Sequence, residues 1–160
     1  MEDTLRLLLQ GEHLSTEEMA KILAKSTDEV EQSLKKLEED NILLGWRPVI
    51  HPGALSENQV RAVIEVKISP ERDGGFDRLA NRISRFEAVE SCYLMSGGYD
   101  LLVVIKGENL HQVATFVTQK LATIERVLST ATHFLLKPYK EQGYFLEIDK
   151  VENDRLPVSP

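Results

Sequence analysis

The chain has 160 residues, of which 42% are hydrophobic and 28% charged, and its formal net charge is −7. This length allows one average domain or two small ones, and the acidic balance excludes a broad cationic surface. The single cysteine, Cys92, excludes an internal disulfide and a cysteine-rich zinc site. No apolar run approaches the roughly 18 to 20 residues that cross a bilayer, and the acidic start MEDTLRLLLQGEH is unlike a signal peptide. We therefore expect a cytoplasmic protein that does not bind membranes.

Three short helices are predicted in the first 40 residues. The first covers residues 2–10, and the other two begin at the capping signatures STEE (15–18) and STDE (26–29). The apolar positions with helical spacing, expected to face inward, are Leu5, Leu8, Leu9, Met19, Ile22, Leu23, Val30, Leu34 and Leu37. Because only Ala24-Lys25 links the second and third helices, they must cross, as in a helix-turn-helix; a plain three-helix bundle remains the alternative. The following NILLGWRPVI predicts a small hairpin or wing around Gly45.

The segment HPGA at 51–54 predicts a domain boundary, because proline and glycine end regular structure and the apolar period then changes. Beyond it the pattern reads strand, helix, strand, strand, helix, strand, with the first strand at 60–68 and the last at 127–137. This order predicts a ferredoxin-like unit with both helices on one face of an antiparallel sheet. The expected fold class is thus α+β: a winged helix-turn-helix (1–52), a linker (53–59), a ferredoxin-like domain (60–149) with a possible edge strand at 144–148, and a mobile tail (150–160).

The run Leu101 to Ile105 is apolar at every position, although a sheet with helices on one side should alternate. Something must therefore cover the second face of the sheet. The economical cover is a second copy of the same sheet in a symmetric dimer. The alternative is that the N-terminal helices fold back onto it.

The segment SCYLMSGGYDLLVVI, followed one helix later by VLSTATHFLLK, resembles the ligand-sensing domain of the Lrp/AsnC (leucine-responsive, feast/famine) family. The segment LSTEEMAKILAKSTDEVEQSLKKLEEDNILLGWRPVIHP resembles the helix-turn-helix of the same family. The two halves occur in the family's order and cover about Leu5 to Ile148. The resemblance implies a transcriptional regulator that binds double-stranded DNA, senses an amino acid or related metabolite, and forms a homodimer that often assembles to a tetramer or octamer.

The resemblance also implies an effector pocket at the turn between the second and third strands of the sensing domain, where dimers meet. Glycines there leave backbone N–H groups open to a carboxylate, and Asp100 is placed to accept from an ammonium group. Hydroxyls on the last strand would donate further hydrogen bonds. The expected effector contacts are Gly97, Gly98, Tyr99, Asp100, Thr130 and Thr132. The plainer interpretation is that Gly97-Gly98 makes an ordinary two-residue hairpin turn without a ligand.

The helix-turn-helix half is unusually acidic for a DNA-binding unit. Residues 1–54 contain six Lys/Arg and eleven Asp/Glu, for a formal charge of −5, and the third helix begins with Asp28, Glu29 and Glu31. The expected DNA contacts are Ser26, Thr27, Gln32, Ser33, Lys35, Lys36 and Arg47. We expect DNA binding to be weak per subunit, sensitive to salt and dependent on assembly.

Two other functions compete with DNA binding. The acidic third helix favours a metabolite sensor or partner-binding module that has lost DNA binding. Siroheme decarboxylases share a similar two-part architecture, but their His-Tyr-x-Arg-Arg-like motif is absent from this sequence. The four histidines are dispersed and no nucleotide or nucleophile motif occurs, so we expect no enzyme activity, no cofactor and no metal site.

Overall fold

The computed structural model describes residues 2–11, 13–51, 54, 59–69 and 75–146. The chain divides into two compact units, residues 1–48 and residues 49–160. Most of the linker predicted at 53–59 and the whole tail predicted at 150–160 lie outside the described residues. Within the described ranges, no helix has the length and apolar character needed to cross a membrane.

The N-terminal unit consists of three helices whose starts follow the capping signatures. Helix α1 covers Glu2–Leu8, α2 covers Thr16–Leu23 and α3 covers Thr27–Glu39. Ser15 and Ser26 each close a full capping box, in which the serine hydroxyl accepts from the backbone N–H three residues on and that residue's glutamate accepts from the serine N–H. Helix α2 ends at Ala24 in the left-handed conformation (φ 51°), which turns the chain at once into α3.

The core of this unit is small. Its buried cluster consists of Leu7, Met19, Ala20 and Val30, and Leu37 is buried as well. Two positions predicted to face inward do not: Leu9 is 78% exposed and Ile22 is 58% exposed. Helix α1 ends before Leu9, so the regular period on which that prediction relied stops too early. No strand pairing occurs over residues 41–51, so the predicted hairpin is an unpaired segment.

The second unit has the predicted order and the ferredoxin-like topology. Its elements are β1 (Val60–Ile68), α4 (Asp77–Ser84), β2 (Val89–Leu94), β3 (Leu101–Gly107), α5 (Leu110–Phe116), which continues into a π-helical segment (Val117–Leu121), and β4 (Val127–Phe134). The sheet order is β2-β3-β1-β4 and every neighbouring pair is antiparallel. The predicted α+β fold class is confirmed.

One face of the sheet packs on the helices and forms the core. Along β1, alternate residues from Ala62 to Ile68 are buried, as the period of two in the sequence predicts. They pack against Leu79 and Ile83 of α4 and against Val113 of α5. This face is called the helix face below, and the opposite one the open face.

Three details differ from the prediction. The β2–β3 connection spans residues 95–100, so it is longer than a two-residue turn. Strand β4 ends at Phe134 instead of residue 137. The piece predicted as an edge strand at 144–148 instead forms a separate small hairpin, in which β6 (Tyr144–Phe145) pairs with β5 (Lys140–Glu141); residues 147 and 148 lie outside the described range.

Candidate functional site

The β2–β3 connection is fastened to the end of β1 by Asp100. The Asp100 backbone N–H donates to the Val66 carbonyl at 3.0 Å, and the Ile68 N–H donates to Asp100 Oδ2 at 2.8 Å. The register between β1 and β4 shifts at Lys67/Ile68, so this carboxylate serves an amide next to an irregularity in the sheet. Asp100 is half-buried, and one of its two oxygens already has a structural partner.

The two glycines of this connection are exposed. A side chain added at Gly97 or Gly98 would meet no atom within 4 Å, so the backbone faces open space. Gly97 has φ +150°, whereas Gly98 is outside the positive-φ region. Tyr99 beside them is half-buried.

The structure does not bring Thr130 and Thr132 to this connection within one chain. Thr130 pairs with Val66 and Thr132 with Ile64, so both hydroxyl-bearing side chains lie on the helix face and are half-buried. Strand β1 separates β4 from β3, which places these residues about 10 Å from the turn's strand at two strand spacings.

The open face of the sheet is partly apolar. Val103 is fully buried on the helix face, whereas Leu102 and Val104 on the open face are half-buried. Val63 pairs with Val104 and extends the same apolar strip. Among the described residues of the second unit, none covers this strip fully.

Ion pairs border the strip. Arg61 Nε lies 3.0 Å from Glu90 Oε2, and its Nη1 lies 3.2 Å from Glu141 on the β5–β6 hairpin. His133 Nε2 lies 3.3 Å from Glu65 Oε1. The sequence offered no signal for these contacts, because their partners are far apart in the chain and meet only in the folded unit.

Several of the residues expected to bind DNA make hydrogen bonds or an ion pair within the α3 segment. The Ser26 hydroxyl accepts from the Glu29 N–H and donates to its carboxylate, and the Ser33 hydroxyl donates to the Glu29 carbonyl. The Glu29 carboxylate accepts from the Ser26 backbone N–H as well as from its hydroxyl, and these two bonds lower the pKa of Glu29 below its ordinary value. Lys35 Nζ lies 3.8 Å from Glu39.

The remaining members of that set lie on the surface of the same unit. Thr27, Gln32 and Lys36 are exposed on α3; Gln32 and Lys36 lie on the side away from the buried Val30, whereas Thr27, three residues before it, lies on the same side as Val30. Arg47 is exposed beside Trp46 in the unpaired segment that follows α3.

No group of three His, Cys, Asp or Glu side chains with metal-site geometry occurs in the described part of the chain. His51 contacts the Leu146 carbonyl at 2.9 Å, which joins the start of the second unit to the end of its hairpin. Cys92 is half-buried on β2, and burial raises the pKa of its thiol. These groups have packing roles.

The profile of the Lrp/AsnC ligand binding domain matches residues 61–145. A protein of Bacillus subtilis strain 168 described as the uncharacterized HTH-type transcriptional regulator YugG is 40% identical over 159 residues, which are 99% of this chain and 95% of that one. The chain belongs to the Lrp/AsnC family of transcriptional regulators. A further relative, the proline dehydrogenase transcriptional activator of Rhizobium radiobacter, is 24% identical over 87% of this chain and 88% of its own.

Solved structures of Lrp/AsnC proteins have the same fold. A transcriptional regulator of Neisseria meningitidis in complex with L-methionine aligns with a TM-score of 0.67 and 23% identity, over 90% of this chain and 93% of its own. AsnC of E. coli aligns with a TM-score of 0.65 and 18% identity, over 88% and 92%. The helix-turn-helix and the ferredoxin-like domain expected from the sequence are therefore the family's two parts in the family's order.

Proposed function

We propose that this Lrp/AsnC regulator binds double-stranded DNA in the cytoplasm through α3 and is controlled by an amino acid bound at the β2–β3 connection. The observation that carries the effector part is the anchored turn: Asp100 fixes the connection to β1, while Gly97 and Gly98 face open space. A fixed backbone with exposed N–H groups is suited to a carboxylate. L-Methionine in the Neisseria meningitidis relative supports an amino acid as the ligand class.

An amino acid needs partners for both of its charges. The N–H groups of Gly97 and Gly98 would take the carboxylate, and Asp100 would take the ammonium with Oδ1, since Oδ2 already accepts from Ile68. Because Thr130 lies two strands away, its hydroxyl and that of Thr132 would complete the pocket only through a neighbouring copy. The proposed effector site is therefore an assembled one.

The assembly we propose starts from a homodimer through the open face. Val63, Leu102 and Val104 form an apolar strip that a second, symmetry-related sheet would cover. The ion pairs around Arg61 and His133 would lie at its border, where charged groups are tolerated at interfaces. Further pairing of dimers into tetramers or octamers would bring the turns of different dimers together.

DNA binding would use the exposed surface of α3. Gln32 has the amide geometry that pairs with adenine, and Lys36 and Arg47 would meet phosphates. The charge of −5 over residues 1–54 opposes the duplex, so several subunits must bind together to reach useful affinity.

The second candidate is a sensor that has lost DNA binding. It is favoured by the acidic start of α3, where Asp28 and Glu31 are exposed and have no hydrogen-bond or ion-pair partner in the described part of the chain. Acidic groups at this end of the helix repel phosphates.

Titration calorimetry with the twenty L-amino acids tests the effector site. Asp100→Asn should abolish binding of the responsive amino acid while the fold survives, because the asparagine carbonyl can still accept from the Ile68 N–H. Gly98→Val should also block binding without unfolding, because its φ is outside the strained region and its surroundings are empty. Asp40→Asn, in the other unit, serves as the matched control and should bind normally. Binding by Asp100→Asn equal to wild type would place the effector elsewhere.

A further inference from the structure

A second concave site lies in the ferredoxin-like unit, at the opposite end of the sheet from Gly97 and Gly98. It is a groove of about 540 Å³ between the end of β3, the α4–β2 connection and the α5 helix with its π-helical segment. We call it the β3–α5 groove. Its volume lies within the range of small-molecule sites. Its lining includes Glu87, Lys106, Glu108, Thr115, Phe116 and Lys120.

The groove combines an apolar floor with charges of both signs. Ile105, Val113 and Phe116 supply the floor, and the first two are buried members of the core. Two lysines, Lys106 and Lys120, and two glutamates, Glu87 and Glu108, lie along its walls. Within the residues described, none of these four charged side chains has a hydrogen-bond or ion-pair partner.

Two local features shape this groove. Gly107 lets α5 approach β3: a Cβ there would come within 2.9 Å of Val113 Cγ2. Gln112 is fixed at the entrance, since its Oε1 accepts from the Glu108 N–H and its own N–H donates to Asn109 Oδ1. These contacts hold the wall in one conformation without using the charges.

The π-helical segment Val117–Leu121 is an independent indication that this groove is a functional site. Such segments are rare and occur frequently at functional sites. Here the wider turn keeps Val117 and Leu121 in the core while Gln119 and Lys120 line the groove. A regular helix would change which side chains follow Phe116 along this wall.

We propose that the β3–α5 groove is a second ligand site of this regulator, for a zwitterionic amino acid with an apolar side chain. One of the lysines would bind the carboxylate, one of the glutamates the ammonium, and the floor the side chain. A dianion or a polyamine would meet like charges on half of the wall, so the balance of two and two selects a molecule that carries both signs. The ligand class rests on the proposed function, but the site is separate from the β2–β3 connection.

Methyl-labelled NMR on the full-length protein separates the two sites. Each of the twenty L-amino acids is titrated while the methyl signals of Ile105 and Val113 report on the groove and those of Ile68 and Leu101 report on the turn. We expect at least one amino acid with an apolar side chain to shift the groove signals. Its N-acetyl and amide derivatives, each lacking one charge, should bind at least tenfold more weakly.

Two tryptophan variants test whether the signal shifts arise from binding in the groove. Thr115→Trp fills the groove and should abolish the shifts at Ile105 and Val113, whereas Ala114→Trp, at the neighbouring exposed position that does not line it, should keep them. Gly98→Val should leave the groove shifts unchanged. Shifts confined to the turn signals, or groove shifts that survive Thr115→Trp, would overturn the second site and leave the proposed effector site standing. No shift at either set would overturn both.

Discussion

The two units of this chain are specified by different kinds of residue. Among the described residues of 1–48 the buried cluster has four apolar members, and polar capping boxes at Ser15 and Ser26 define where α2 and α3 begin. Among the described residues of 49–160 the buried cluster has thirteen members, and strict alternation along β1 and β3 defines the fold. The first unit therefore depends on local polar contacts at its surface and the second on burial between sheet and helices, which predicts different responses to mutation and to pH.

The largest effect is expected from a charge placed on one face or the other of β3. Val103→Asp would put an unpaired carboxylate into the fully buried helix face, at a cost of several kcal/mol, and should unfold the ferredoxin-like unit. Val104→Asp places it on the half-buried open face and should leave the unit folded. Light scattering and circular dichroism distinguish the outcomes: the second variant should be a folded monomer and the wild type at least a dimer. A wild-type monomer at micromolar concentration would refute the dimer.

The sequence predicted the second unit well for a physical reason. The period of two in the sequence of β1 follows directly from burial of one face, and the residues with that period, Ala62, Ile64, Val66 and Ile68, lie in the core. The capped starts of α2 and α3 were equally accessible, because a capping box is a contact within four residues. Contacts between residues far apart in the chain cannot be predicted from such local patterns. The bond from the Ile68 N–H to Asp100 joins residues 32 apart and depends on how β1 and β3 pair.

Two of the predicted DNA contacts are engaged in local hydrogen bonds. The polar side chains of Ser26 and Ser33 looked available in the sequence, yet both are used within α3. The predicted effector residues lie in two places, at the β2–β3 connection and on β4 at Thr130 and Thr132. Within a single chain, β1 separates β4 from β3. Under the proposed function, completion of the effector site would depend on assembly, which sequence patterns do not specify.

A smaller effect is expected from a mutation that creates a cavity in one or the other of the two cores. Met19→Ala in the first unit and Leu121→Ala in the second each remove a buried side chain at a cost of about 2 to 5 kcal/mol. Because each unit has its own core, Met19→Ala should unfold the helical unit while the sheet's amide protons stay protected from hydrogen exchange. The Leu121→Ala variant should show the reverse. Uniform loss of protection in both variants would mean that the units unfold together.

The smallest effect is a pH dependence confined to the helical unit. Hydrogen bonds from Ser26 lower the pKa of Glu29 from its ordinary value of 4.5, so this glutamate stabilises the folded state above that pH and the contribution is lost as pH falls through the lowered value. Glu29→Gln should remove this part of the acid dependence, followed by helical circular dichroism. Glu31→Gln, on the same helix but outside the capping box, should retain it. Equal acid curves for both variants would contradict the role of the cap.

We propose that the acidic helical unit still binds DNA and that the sensing unit controls this binding. Fluorescence anisotropy with duplex DNA from upstream of the gene, measured across salt concentrations with and without the amino acid that binds, tests it most directly. The wild type should bind at low salt with an affinity that the amino acid changes. Lys36→Ala should bind more weakly with a salt slope lower by about 1, while Lys140→Ala in the other unit should match the wild type. No binding at low salt under either condition, or identical salt slopes for Lys36→Ala and wild type, would contradict the account.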